Sequence, residues 1–413
     1  MDGIENPCFG VYVTDGNIGE STPICDISEN NTPFDWCEEG DAAGTFRDSG
    51  PEFFEEDSCG MQIELFGGLY TPEQLTPLED GSIMAPATTT MQAIQLTRET
   101  EELPPAMSFT TLPIPKVTPG YALVKIIYSN LNPSDRANAK GDFAITSYPR
   151  VLGRDYSGII VDGPSDRIGE EVYGTSGGVL GFTMDGVHAQ YCVLPENCLV
   201  TKPKNLSFLQ AAVVGVPFTT ASLCLRRARA TSKDIVLVLG ANGAVGSAAV
   251  QIAKAMGCKK VIRVARGQDA DVNLTLDPEL QTVGALTDGK GVDVVVDTVG
   301  NLDLMKSAFN RLARLGRYGY IAAPRGGAST DFTIDILQGY RMGIELIGCN
   351  TGFYTLEEVA ADMAQLKEWF ESGAITTKSD ECYDIIPLEE AVQIGYGRAP
   401  SKRPTVISMV SEN

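Results

Sequence analysis

The chain has 413 residues, 43% of them hydrophobic, and a formal net charge of −22. That length allows two or three domains with their own cores, but every apolar run is strand-sized and none reaches the roughly 20 residues a membrane span needs. The charge is uneven: residues 1–90 hold 19 acidic residues against one basic residue, Arg47, while 91–413 hold 35 acidic and 31 basic. Nucleic acid and anionic membranes would repel so acidic a leader, so neither is an expected partner.

Residues 1–90 are rich in Gly, Pro, Asp, Glu, Ser and Thr, and "EEGDAAGTFRDSGPEFFEED" shows no sustained period. They read as an acidic extension of low order. The alternative is that its aromatics (Phe34, Trp36, Phe53, Phe54 and Tyr70) form a motif that folds on a partner. No basic stretch followed by an apolar one marks a secretory signal, so a cytoplasmic location is expected. The ten cysteines include no CxxC pair and read as free thiols. Cys8, Cys25, Cys37 and Cys59 would form disulfides only in a secreted protein.

From Met91 the pattern changes. "MQAIQL" alternates as a strand does, and "YALVKIIYSN", "RVLGRDYSGIIVDG", "IGEEVYG" and "HAQYCVLP" continue as short strands ended by Pro, Gly and Asp. They predict a small barrel-like β domain. "SFLQAAVVGVPFTTASLCLRRA" has helical spacing. Strands "DIVLVLG", "KKVIRVA", "VDVVVDTVG", "RYGYIAA" and "IELIGC" then alternate with helices "AVGSAAVQIAKAMG", "LDLMKSAFNRLARLG" and "TLEEVAADMAQLKEWFESG". The alternation predicts a doubly wound parallel sheet, giving an α/β fold class overall. Gly257 is the expected cap of the first of these helices.

The loop "GANGAVG" sits between a buried strand and a helix, the context a dinucleotide-binding turn requires. Gly240 allows the tight turn, Gly243 a close approach of pyrophosphate to backbone, and Gly246 close helix–strand packing. The next strand ends at Arg266 with no acid before Asp269. A guanidinium there suits a 2′-phosphate and favours NADP over NAD, and solvated surface is the alternative reading of Arg266.

The segments "NPSDRANAKGDF", "VLGRDYSG", "GEEVYG", "HAQYCVLP", "VLVLGANGAVGSAAVQIAKAMG", "VDTVG" and "IPLEEAV" run in the order found in medium-chain dehydrogenase/reductases. Within that superfamily the chain resembles the zinc-free quinone oxidoreductase branch and is similar to fungal trans-acting enoyl reductases of polyketide pathways. The resemblance implies a GroES-like catalytic domain over 91–210, completed by 350–413, beside a dinucleotide-binding domain over 211–349. NADP(H) contacts are implied at Ser134, Asp135 and Arg136, at Gly240, Asn242, Gly243, Ala244, Val245 and Gly246, at Arg266, Gly267 and Gln268, and at Val299 and Gly300. Substrate-side positions are implied at Val216, Pro217, Phe218 and Thr219 and at Ala323, Pro324 and Arg325.

Three departures qualify the likeness. Where zinc alcohol dehydrogenases carry Cys and Gly-His-Glu, this chain has Asn132 and Gly153-Arg154-Asp155, and its one histidine, His188, reads as a packed or surface residue. No metal is therefore expected. There is no room after Arg266 for the helix the family usually has, and Thr275 stands near where its tyrosine partner to the 2′-phosphate would be. Proton-donor positions fall on Ala137 and Phe143, which leaves Lys140 and Tyr156 as weak catalytic candidates. The expected reaction is hydride transfer from NADPH to the β-carbon of a polarised C=C on a small or carrier-linked acyl substrate, which a polyketide synthase would present. A quinone reductase and a catalytically weakened nucleotide-binding assembly protein are the alternatives. Monomer and homodimer are both compatible with the sequence.

Overall fold

The computed structural model describes residues 88–324, 327–398 and 403–410. The acidic extension up to residue 87 and Arg325 lie outside the described residues.

Alternation builds the first sheets. In β1 (Thr90–Thr97) Met91, Ala93, Ile94 and Leu96 are buried, and the strand pairs antiparallel with β2 (Ala106–Pro113). Sequence reading misses β2, whose residues are mostly exposed and lack an apolar face. Next come β3 (Tyr121–Asn130), α1 (Pro133–Ala139), β4 (Arg150–Val151), β5 (Tyr156–Asp162), β6 (Glu171–Gly174), β7 (Tyr191–Pro195) and β8 (Val200–Thr201). Pro133 starts α1 because its fixed φ suits a first helical position, and Asp135 Oδ2 accepts from the Asn132 amide at 2.8 Å. The helical run from Ser207 divides into α2 (Phe208–Ala212) and α3 (Gly215–Arg227).

The second region is a six-stranded parallel sheet. Its elements are β9 (Ile235–Leu239), α4 (Ala244–Ala255), β10 (Lys260–Ala265), β11 (Val272–Asn273), α5 (Thr282–Leu286), β12 (Val292–Asp297), α6 (Leu302–Phe309), β13 (Leu312–Tyr320), α7 (Ile336–Met342) and β14 (Glu345–Gly348). The spatial order is β11-β10-β9-β12-β13-β14, the doubly wound 3-2-1-4-5-6 order. In β9, Val236 and Val238 face the layer of α3 and α4, while Leu237 and Leu239 face that of α6. Burial on both faces explains why the strand is apolar without alternation. Gly257, with φ +72°, follows the end of α4 as expected.

One predicted helix is shortened. The sequence suggests helix through residue 316, but α6 stops at Phe309 and Leu312–Gly316 belong to β13. Leu312 pairs with Val292 and Arg317 with Val294, so 313–316 bulge out of register, with Leu315 at φ +60° and exposed. The run "LARLG" satisfies helical spacing, and pairing with β12 overrides it.

Helix α8 (Leu356–Glu371) starts at Thr355, whose hydroxyl accepts from the Glu358 amide while Glu358 accepts from the Thr355 amide. The chain then returns to the first region through β15 (Asp384–Pro387), a π-helical turn (Ala391–Tyr396) and β16 (Thr405–Ser408). β16 pairs antiparallel with β3 and parallel with β15, which stands at one edge of the sheet. Among the described residues no helix is long and apolar enough to cross a membrane.

Candidate active site

The glycine loop lies at the C-terminal end of β9, where the strand order reverses between β9 and β12. Gly240 has φ +76°, and a Cβ there would meet Thr298 Oγ1 at 2.6 Å. A Cβ on Gly246 would stand 2.0 Å from the Gly240 carbonyl oxygen, so only glycine lets α4 pack this close. Gly243 opens α4, whose first amides lack helical acceptors and are suited to an anion.

The loop faces a cavity of about 500 Å³. One wall is Asn130–Pro133 with Arg136, at the end of β3 and the start of α1. A second is Val213, Val214, Pro217 and Phe218, around the start of α3. Asn242, Gly243, Ala244, Ser247 and Gln251 form a third, and Thr376–Lys378, Tyr383 and Arg403–Thr405 the last. Gln251 Oε1 accepts from the Thr376 amide at 2.8 Å and ties the last two walls together.

A polar network lies beneath the first wall. Arg154 is buried; its Nε donates to Asp135 Oδ1 at 2.9 Å, it also bonds Ser134 Oγ, and its guanidinium stacks 5.4 Å from the Phe182 ring centre. Asp155 is fully buried and accepts from Asn132, Asn130, Thr175 and the Val216 amide. Burial pushes its carboxyl up to about 6, despite those donors and Arg154. His188 is also fully buried, with Nδ1 2.9 Å from Tyr396 Oη and Nε2 3.3 Å from the Asn130 carbonyl. Burial holds its imidazole below the usual histidine range.

The sign of the Asp155 shift gives a stability test. With the folded carboxyl near 6 and the unfolded one near 3.8, the folded state binds the extra proton between those values. Stability contributed by this group is therefore full below about pH 4, lost as pH rises to about 6, and constant above. That difference corresponds to about 3 kcal/mol. Asp155→Asn removes that slope, which urea unfolding of both proteins between pH 4 and 7 will measure.

The expected cofactor positions divide into three groups. Asn242, Gly243, Ala244 and Arg136 line the cavity. Val299, 43% exposed, and Gly300, at φ +69°, follow β12 at the same sheet edge as Gly240, and Asp297 Oδ1 accepts both their amides. Arg266, Gly267 and Gln268 form an exposed turn after β10, and Val245 is half-buried on the core of α4. Asp135 has a different task from the one expected: its carboxylate is buried on Arg154 and the start of α1, which leaves it no free face toward a ligand. Ser134 is occupied by the same arginine.

The missing helix is confirmed: six residues join β10 to β11, with Val264 opposite Val272 in parallel register. Such a pair ordinarily needs a crossover of a dozen or more residues.

On the substrate side, Pro217 and Phe218 line the cavity. Val216 and Thr219 are not among the cavity's lining residues: the Val216 amide is bound to Asp155, and the Thr219 hydroxyl donates back to the Gly215 carbonyl at 2.8 Å. Ala323 and Pro324 follow β13, and the Ala323 amide abuts Gly300. The same holds for both catalytic candidates. Lys140 caps the far end of α1 in solvent, and Tyr156 is buried in the β-domain core beside Gly174, so neither lines the cavity. Burial also raises the Tyr156 phenol well above its usual range. Lys140→Met should leave kcat/KM of the expected enone reduction within about twofold, as surface changes away from a site usually do. Steady-state assay checks this.

Sequence reasoning treated Asn132, Arg154 and Asp155 only as absent zinc ligands and did not consider Asn130. Their signal was the pair of polar tripeptides Asn130-Leu131-Asn132 and Gly153-Arg154-Asp155 in otherwise apolar strand ends.

Comparison with known proteins decides the family. Residues 118–204 match the alcohol dehydrogenase GroES-like domain, and 244–368 match the zinc-binding dehydrogenase family. A zinc-type alcohol dehydrogenase-like protein of Schizosaccharomyces pombe is 46% identical over 301 residues, covering 71% of this chain and 91% of that one. The chain belongs to the medium-chain dehydrogenase/reductase superfamily. It is an oxidoreductase of that superfamily, with a GroES-like domain and a Rossmann domain for a dinucleotide. A quinone oxidoreductase of Sus scrofa is 29% identical, over 69% of this chain and 87% of its own. An NADPH-dependent alkenal/one oxidoreductase of Arabidopsis thaliana chloroplasts is 31% identical, over 46% and 53%. An alcohol dehydrogenase superfamily protein of Novosphingobium aromaticivorans superposes with a TM-score of 0.65 at 25% identity, over 78% of this chain and all of that one.

Some members of this superfamily bind zinc, and the residues present here do not fit it. Both His188 nitrogens have partners, Asp135 and Asp155 are committed to donors, and Val216 brings no donor side chain to the cleft. Among the described residues no group of three His, Cys, Asp or Glu is placed to hold an ion. A dinucleotide does fit, because Asn242, Gly243 and Ala244 of the glycine loop line the cavity and the first amides of α4 there have no helical acceptors.

Proposed function

We propose that the protein is a zinc-independent, NADPH-dependent reductase of polarised C=C bonds, acting on an enone or enoyl substrate. The observation that carries this is the cavity itself: the glycine-loop start of α4 on one wall faces the amides of Asn130 and Asn132 and the apolar Pro217 and Phe218, with Arg136, Lys378 and Arg403 at its polar sides, and among the described residues no group is placed to hold a metal. The Arabidopsis relative's name supports both the cofactor and the substrate class.

NADPH, when bound, supplies the hydride. The chain's residues do the rest. Amides at the start of α4 would hold the pyrophosphate, and Arg136, whose guanidinium also donates to the Tyr396 and Arg398 carbonyls, would add positive charge from α1. Arg266, exposed after β10, would meet the 2′-phosphate. Pro217 and Phe218 offer an apolar face to the reacting end. Lys140 and Tyr156 lie outside the cavity, and the α-carbon would take its proton from water, with Lys378 and Tyr383 the proton-bearing side chains that line the cavity. A carrier-linked acyl chain, of the kind fungal polyketide synthases present, is the larger substrate proposed.

The Sus scrofa relative favours a second reading, quinone reduction, which needs only hydride delivery and solvent protons. NADPH consumption with matched panels of enones and quinones, by the metal-depleted protein, separates the two. Activity that appears only on adding zinc overturns the zinc-independent reading, and no consumption with either panel overturns the reductase reading.

A further inference from the structure

The two oxygens of Asp155 serve opposite walls of the cavity. Oδ1 accepts from the Val216 amide at 2.9 Å, in the first turn of α3, and from the Thr175 hydroxyl just past β6. Oδ2 accepts from Asn132 Nδ2 at 2.8 Å and from Asn130 Nδ2 at 3.4 Å. Asn130 and Asn132 line one side of the cavity, and Val214, Pro217 and Phe218, flanking that amide, line another. The contact is close: a Cβ on Gly215 would lie 2.5 Å from Oδ1. The residue's own carbonyl is fixed by Ser129 Oγ at 2.7 Å. We propose that Asp155 is a positioning residue whose carboxylate holds the asparagine wall and the α3 wall in register around the bound cofactor and substrate.

The charged groups near this carboxylate are Arg154, its chain neighbour, and Asp135 of α1, which Arg154 neutralises. The remaining contacts, from β3, from beyond β6 and from α3, are neutral donors. A fully buried carboxylate is costly to desolvate, and here the donors that compensate it come from two walls of the cavity and from Thr175, so its two oxygens tie those walls together. The part of the proposal that concerns catalysis rests on the reductase reading, whereas the coupling of the walls does not.

The test uses the full chain with Asp155→Asn and with the reciprocal exchange Asn132→Asp/Asp155→Asn. In the single variant the amide has one acceptor oxygen for donors on two walls, so one wall loses its acceptor. In the exchange the carboxylate at position 132 accepts from the NH₂ at position 155, whose oxygen is left for the Val216 amide. Hydrogen exchange of segments 130–136 and 213–219 should quicken about tenfold in Asp155→Asn and recover in the exchange variant. NADPH affinity should fall about tenfold and recover in parallel. The pH profile of kcat/KM should lose a limb near pH 6 in Asp155→Asn. Unchanged exchange in both segments, a rise spread evenly over the chain, or no recovery in the reciprocal variant overturns the proposal. Failure of the reductase reading would appear differently, as no turnover by the unmutated protein with the exchange pattern intact.

Discussion

Gly243→Trp is expected to abolish dinucleotide binding while leaving the protein folded. Gly243 lines the cavity, and a Cβ there would meet one atom, the Gly240 carbonyl oxygen at 3.3 Å, so the backbone tolerates a side chain. Its φ of −74° is open to any residue. The indole would then occupy space meant for the pyrophosphate. A loss of affinity beyond a hundredfold corresponds to about 2.7 kcal/mol, within reach of a blocked anion site. Gly246→Ala provides the contrast. Its methyl would collide with backbone at 2.0 Å, so α4 must move from the sheet at a cost of about 3 kcal/mol. The expected pattern is a thermal midpoint little changed for Gly243→Trp and clearly lowered for Gly246→Ala, with NADPH fluorescence titration showing no binding to the first. Unchanged affinity in Gly243→Trp would mean that the loop is only a turn.

Arg266→Ala should weaken NADPH about tenfold and NADH hardly at all. The side chain is exposed at the end of β10 and makes no hydrogen bond or ion pair with the described residues, so nothing within the fold competes for it. A charge-assisted hydrogen bond to a phosphate is worth roughly 1.5–3 kcal/mol, and exposure places this one near the lower end. Arg266→Asp should reverse the preference, because a carboxylate repels the phosphate and accepts from ribose hydroxyls. Raising the salt concentration should weaken NADPH more than NADH in the unmutated protein. Titrating both cofactors against all three proteins checks these outcomes, and equal affinities in the unmutated protein would rule out the NADP assignment. The six-residue link from β10 to β11 makes the test informative, since no helix flanks the adenosine end and Arg266 stands nearly alone there.

The strands and the glycine loop were legible because their signals are local. Period-2 alternation reports a half-buried sheet, a continuous apolar run reports a parallel strand, and three glycines between strand and helix report the turn that needs them. β2 was not legible, because a mostly exposed strand carries no burial signal. The end of α6 was misread because "LARLG" fits a helix until pairing with β12 is known. Lys140 and Tyr156 illustrate the limit for sites: both are reactive residue types close in sequence to a motif, and neither lines the cavity.

The sequence by itself determined the two-part organisation, the dinucleotide loop and the short link on the adenosine side, since each depends on residue types and short spacings. Only the tertiary structure decided the task of each polar residue. Asp135 and Arg154 are 19 positions apart and become a buried pair; Asp155 and Val216 are 61 apart and meet across the cleft. Those contacts follow from how β3, β5 and α3 pack, and burial then sets which carboxylates titrate abnormally. No local pattern encodes an environment built by residues so far apart in the chain.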